Sequence, residues 1–84
     1  MSATLIDTML WHIQREMMSR IGCDAATRAM YPLKWYINTG RASSEFLHKL
    51  HQARPVLVAR DLARGGSDEA VINRICKRIG FERC

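Results

Sequence analysis

The sequence has few cysteines and no close pair of them. Cys23, Cys76 and Cys84 are an odd number and lie far apart along the chain. A disulfide framework needs paired cysteines, so we expect reduced thiols in a cytoplasmic protein. Cys76 borders an apolar stripe, whereas Cys23 and Cys84 have no partner in the sequence and are expected to be dispensable for folding.

Long apolar runs and strand patterns are also missing. No stretch approaches the roughly 20 apolar residues that a membrane-spanning helix needs, and the first residues lack the basic start and continuous apolar core of a secretory signal. We therefore expect no membrane partner and no signal peptide. The β-branched cluster at 56–58 is too short to predict a strand among helical surroundings.

The residue spacings of common catalytic and metal sites are absent as well. Glycines occur singly or as the pair Gly65 and Gly66, which is not the spacing of a phosphate-binding loop. No pair of carboxylates marks an acid–base site. His48 and His51 would share a helix face, but further ligands lie in other elements without a zinc spacing. We expect no enzyme activity, no cofactor and no metal site.

The charge of the chain is positive and unevenly distributed. The 84 residues carry a net charge of +5, of which +1 falls in residues 1–40 and +4 in residues 41–84. A chain of this length predicts a single domain, 1–84, without room for a cavity of enzyme size. The basic balance favours nucleic acid or an acidic protein surface as a partner.

Apolar residues at helical spacing predict helices along the first half of the chain. Thr4 and Asp7 resemble a capping box that would start the first helix, and Gly22 would end it. Asp24 is suited to cap a second helix. Pro32 then either ends that helix or kinks it, because proline lacks the N–H that an interior helical position needs.

The second half predicts three more helical segments. Ser43 or Ser44 can cap a helix that Pro55 limits, and Pro55 itself can open the segment 55–64. Ser67 can cap the segment 67–79, which Gly80 would end with a Schellman motif. We therefore expect an all-α fold, a small bundle of four to five short helices with a C-terminal helix-turn-helix-like pair. The expected core is Leu5, Ile6, Met9, Ile13, Met17, Ile21, Leu33, Ile37, Phe46, Leu50, Leu57, Leu62, Val71, Ile75 and Ile79.

The basic residues of this C-terminal pair give the first functional hypothesis, a regulatory protein that binds DNA. In a helix-turn-helix the second helix enters the major groove and its polar side chains contact base edges. The residue types are suitable, but the turn sequence does not match the usual motif of small residue and glycine. The predicted nucleic-acid-binding residues are Arg60, Arg64, Asn73, Arg74, Lys77 and Arg78.

The first helix gives the second hypothesis, a protein-binding adaptor or inhibitor. Trp11 and Met18 widen its apolar stripe, and they either cover the core or form a docking surface for another protein. In size and composition the chain resembles small accessory proteins of bacteria, phages and plasmids. A homodimer is a further expectation, since so short a chain with many apolar residues cannot readily cover them all.

Aromatic residues gather beside a cation at Tyr31, Lys34, Trp35 and Tyr36. Such a mixture can stack bases and hold phosphates. The alternative is that Trp35 and Tyr36 anchor the core, which a domain this short needs. We favour the core.

The periodicity predicts a far-ultraviolet circular dichroism spectrum dominated by helix, because caps and helical spacing agree along most of the chain. A spectrum dominated by sheet would contradict the predicted fold class.

Overall fold

Six α-helices follow one another in the computed structural model, which describes residues 1–83. They are α1 Ala3–Ile21, α2 Cys23–Ala29, α3 Tyr31–Asn38, α4 Ser44–Gln52, α5 Pro55–Ala63 and α6 Asp68–Ile79. The part of the chain described contains no strand. The predicted all-α class, a small helical bundle, is confirmed. Cys84 lies outside the described residues, so the expectation for its thiol stays a prediction.

The break between α2 and α3 lies where Pro32 predicts one. Pro32 occupies the first turn of α3, where its missing N–H is tolerated. Met30 joins the two helices and keeps right-handed helical dihedral angles, φ −73° and ψ −18°. The pair is therefore close to one kinked helix. Counted separately, the helices number six, one more than the four to five predicted; counted as one, they number five.

Serine caps start two helices of the second half, α4 and α6, as predicted. The Ser43 hydroxyl accepts a hydrogen bond from the backbone N–H of Phe46 at 3.1 Å at the start of α4. The Ser67 hydroxyl accepts one from the backbone N–H of Ala70 at 3.2 Å at the start of α6. Each bond satisfies a backbone donor that has no partner within the helix.

The predicted caps of the first two helices are wrong. Ser2 caps α1 by accepting from the backbone N–H of Leu5 at 3.2 Å, so the helix starts earlier and Thr4 lies inside it. Ser2 is as good a capping residue as Thr4, and the sequence offers no local reason to choose between them. Asp24 lies in the first turn of α2, and Gly22 holds the cap position.

The core forms where α1 packs along α5 and where α3, α4 and α5 meet α6. Most of the predicted core is buried, but Leu5 and Ile21 are exposed. The nineteen residues of α1 span about 28 Å and the nine of α5 about 14 Å, so α5 cannot cover both ends of α1. The buried residues that the prediction omitted are Leu10, Ala26, Met30, Pro32, Tyr36, Val58, Ala59, Asp61, Ile72 and Cys76.

The position of α5 explains why its buried face was predicted incorrectly. Leu57 was expected in the core and is only half-buried, whereas Val58, Ala59 and Leu62 are buried. Because α5 contacts α1, α2 and α6, it buries more than one stripe of its surface. A single stripe read from the sequence cannot describe a helix packed on several sides.

The end of α6 has the predicted Schellman geometry. Gly80 has left-handed dihedral angles, φ 73° and ψ 31°, and the backbone N–H of Phe81 donates to the Cys76 carbonyl at 2.9 Å. The Phe81 ring then packs edge-on against Phe46, with 5.5 Å between ring centroids. The stop thereby packs Phe81, which is half-buried, against the core.

We expect the thiols of Cys23 and Cys76 to react at very different rates. Cys23 is exposed, whereas Cys76 is buried, and this burial raises the pKa of its thiol. The thiolate is the reactive species, so both access and ionisation protect Cys76. In a Cys84→Ser background, a thiol reagent at pH 8 should label Cys23 quickly and Cys76 only after denaturant is added. Equal labelling of both in the native protein would contradict the packing of α6.

Candidate nucleic-acid interface

A glycine turn joins the two helices that carry the predicted nucleic-acid-binding residues. Gly65 and Gly66 have φ values of 71° and 113°, a region that other residues rarely adopt. The turn therefore depends on glycine at both positions. It brings the end of α5 next to the middle of α6.

A buried carboxylate holds the two helices together. Asp61 on α5 is only 2% exposed and receives two hydrogen bonds from the Arg78 guanidinium on α6. Arg78 Nε donates to Oδ2 at 2.7 Å, and Nη2 donates to Oδ1 at 3.2 Å. This fork geometry orients a guanidinium as well as pairing its charge. The hydrogen bonds to Asp61, reinforced by its charge, hold the pKa of Arg78 above its usual value.

Arg74 donates hydrogen bonds to backbone carbonyls at the end of α5. Its Nη1 donates to the carbonyl of Asp61 at 2.8 Å and to the carbonyl of Gly65 at 3.0 Å. The last carbonyls of a helix have no partner within the helix and carry partial negative charge. Arg74 therefore caps α5 from the side, and its guanidinium is engaged in the fold.

Three further cations of the predicted set are exposed. Arg60, Arg64 and Lys77 have no ion pair or side-chain hydrogen bond to any other residue within 1–83. Arg60 lies on α5, and Arg64 directly follows its last residue with right-handed helical dihedral angles, so the two, four apart, lie on the same side. These charges are available to an external partner.

The structure brings four of the six predicted residues to one surface depression. This depression has a volume of about 280 Å³ and is lined by Asp61, Arg64, Arg74, Lys77 and Arg78. Arg60 lies outside it. The carboxylate of Asp61 is covered by Arg78, and the end of α5 by Arg74, so the remaining charge around the depression is positive.

Asn73 is occupied by a contact that the sequence did not predict. Its side-chain oxygen accepts from Arg83 Nη1 at 2.8 Å, and the same nitrogen lies 2.9 Å from a carboxylate oxygen of Glu69. The Arg83 guanidinium also lies 5.4 Å from the centroid of the Tyr36 ring. Asn73 therefore supports the C-terminal segment, and contact with a base edge would require it to exchange this partner.

The start of α6 carries acidic rather than basic residues. Asp68 and Glu69 occupy its first turn, whereas Arg74, Lys77 and Arg78 lie in its second half. A recognition helix places its N-terminal residues against base edges. The positive charge of α6 therefore lies toward its C-terminal end, whereas a helix-turn-helix contacts DNA with the N-terminal end of its second helix.

The two residues of the alternative surface on α1 differ in their exposure. Trp11 is 52% exposed, whereas Met18 is half-buried and packs against the core. Of the aromatic stretch, Tyr36 is buried, Trp35 is half-buried under the Arg41 guanidinium at 4.7 Å, and Tyr31 is exposed.

Neither a metal centre nor a membrane-spanning segment emerges from residues 1–83. No group of three or more histidine, cysteine or acidic side chains in this range could hold a metal ion. None of its helices combines the length and apolar character that crossing a bilayer requires.

Comparison of the chain with protein-family models, with curated proteins and with solved structures gives no match.

We expect Arg74→Ala to destabilise the fold by about 1–3 kcal/mol, because it leaves two partly buried carbonyls without a donor. Arg60→Ala removes the same charge from an exposed side chain and should change the free energy of unfolding by less than about 0.5 kcal/mol. Urea denaturation of both variants measures the difference. Equal losses would show that Arg74 acts only through its charge.

Proposed function

We propose that the protein is a non-enzymatic regulatory protein that binds DNA through the exposed cations of α5 and α6. We call this surface, formed by Arg60, Arg64, Lys77 and Arg78, the α5–α6 basic surface. The observation that carries the proposal is that Arg60, Arg64 and Lys77 face solvent without an ion-pair partner among residues 1–83, next to the contact by which the buried Asp61 carboxylate joins α5 to Arg78 of α6. Cations on two helices that are held side by side suit the regular phosphates of a duplex.

The proposed interaction is with the phosphate backbone. Asn73 is engaged by Arg83, and the first turn of α6 is acidic, so the groups that would contact base edges are few. Arg74 supports binding indirectly, by covering the negative end of α5. Phosphate contacts position a protein on DNA but carry no sequence information directly. Binding should therefore depend weakly on sequence.

A charge-matched pair of double variants tests this proposal. Arg64→Ala with Lys77→Ala should weaken binding to a short duplex. The slope of log K against log salt should become shallower by about 2, because each lost phosphate contact no longer releases about 0.9 counterion. Arg78 is left in place because its removal would leave Asp61 buried without a partner.

The control is Arg15→Ala with Arg20→Ala, which removes two exposed cations of α1 and the same net charge. It should retain most of the affinity and most of the slope. Equal effects of the two double variants would show that net charge alone governs binding. Failure of the wild type to bind duplex at low salt would overturn the proposal.

A protein-binding adaptor or inhibitor is the second candidate, and the exposure of Trp11 favours it. Exposed tryptophan is typical of the anchor residues of protein interfaces. The other exposed large apolar residues, Leu5, Ile21 and Tyr31, would favour self-association, and a homodimer would cover some of them. An acidic protein is the alternative partner for the α5–α6 basic surface. If duplex binding fails, Trp11→Ala is the first variant to compare in partner capture.

A further inference from the structure

We propose that the depression between α5 and α6 is a discrete site for one phosphate group, bound by Arg64, Lys77 and Arg78. Asp61 is its positioning residue, because it fixes the direction of the Arg78 guanidinium. This inference deepens the proposed function and rests on it. The proposed function requires only that the α5–α6 basic surface be positive, whereas this inference assigns one defined binding site to it.

The Arg78 guanidinium has donors left over after it pairs with Asp61. A guanidinium has five N–H groups, and Asp61 takes one from Nε and one from Nη2. Both N–H groups of Nη1 and the second of Nη2 remain. The Arg78 side chain is 39% exposed and lines the depression, and no residue within 1–83 accepts a hydrogen bond from these remaining donors.

The rest of the lining suits a small anion. Arg64 and Lys77 are exposed cations, one from each helix, and both line the depression beside Arg78. Planar guanidinium groups match the geometry of phosphate oxygens, and an ammonium group adds a point charge. The depression, with a volume of about 280 Å³, is open to solvent and leaves room for a small anion.

The negative groups nearby are prevented from repelling this anion. The carboxylate of Asp61 is paired with Arg78, and Arg74 donates to the carbonyls of Asp61 and Gly65. Without Arg74, the end of α5 would direct partial negative charge toward this surface. The two arginines of α6 thus have different roles, since Arg74 covers the carbonyls and Arg78 offers its remaining donors.

A discrete site and a diffuse basic surface make opposite predictions for Asp61→Asn. The substitution removes one negative charge and nearly conserves volume, so a diffuse surface would bind phosphate more tightly. At a discrete site, the introduced amide can accept only one of the two Arg78 hydrogen bonds, the guanidinium loses its fixed direction, and phosphate binds more weakly. The sign of the change separates the two.

The experiment is a phosphorus-31 NMR titration of inorganic phosphate at low ionic strength, with circular dichroism of every variant to check its fold. We expect Lys77→Ala, Arg64→Ala and Asp61→Asn each to weaken phosphate binding about tenfold, the loss of roughly one charge-assisted hydrogen bond. Arg60→Ala removes the same charge outside the depression and acts only through the long-range field, so it should weaken binding clearly less than Arg64→Ala or Lys77→Ala. Arg15→Ala, which removes an exposed cation of α1 outside the α5–α6 basic surface, should stay within about twofold of the wild type.

Two results would overturn the proposed site: tighter binding by Asp61→Asn, or equal weakening by Arg60→Ala and Lys77→Ala. If Asp61→Asn fails to fold, the comparison of Arg64→Ala and Lys77→Ala with Arg60→Ala decides alone.

Duplex DNA is titrated in parallel to separate the two sources of phosphate. If the protein binds duplex but its single variants all bind inorganic phosphate with the same affinity, the discrete site is wrong and the proposed function stands. A phosphate site without duplex binding would support the site and reject DNA as its partner.

Discussion

The buried carboxylate of Asp61 is the constraint on which the arrangement of α5 and α6 depends. It is the one charged side chain fully buried among residues 1–83. A buried charge is costly unless it is paired and hydrogen-bonded. Arg78 supplies that pairing from α6, and Arg74 binds the carbonyl of the same aspartate. Since α5 also packs along α1, this contact links α6 to the rest of the bundle, together with the packing of α6 against α3 and α4.

The basic residues on and around α5 and α6 include some that the fold engages and some that it does not. Arg74 and Arg83 are engaged by the fold, the first at the end of α5 and the second with Asn73 and Glu69. Arg60, Arg64 and Lys77 have no such partner among the described residues. Positive charge that the fold does not use is what an anionic partner can bind.

Local chemistry explains which parts of the fold could be predicted from the sequence. Serine caps, the proline break and the Schellman stop each depend on neighbouring residues, and at Ser43, Ser67, Pro32 and Gly80 the predictions are correct. The exposure of Leu5 and the burial of Asp61 depend instead on the lengths and contacts of partner helices. For the same reason, the sequence found the basic residue types of the candidate surface but could not separate Arg74 from Lys77.

Backbone amide shifts of nitrogen-15-labelled protein, followed by NMR as a short duplex is added at low salt, test most directly where nucleic acid binds. If the α5–α6 basic surface binds phosphates, the largest changes fall around Arg60, Arg64, Lys77 and Arg78, and they diminish as salt is raised. Changes concentrated on α1 around Trp11, or no changes at all, would contradict the proposed interface.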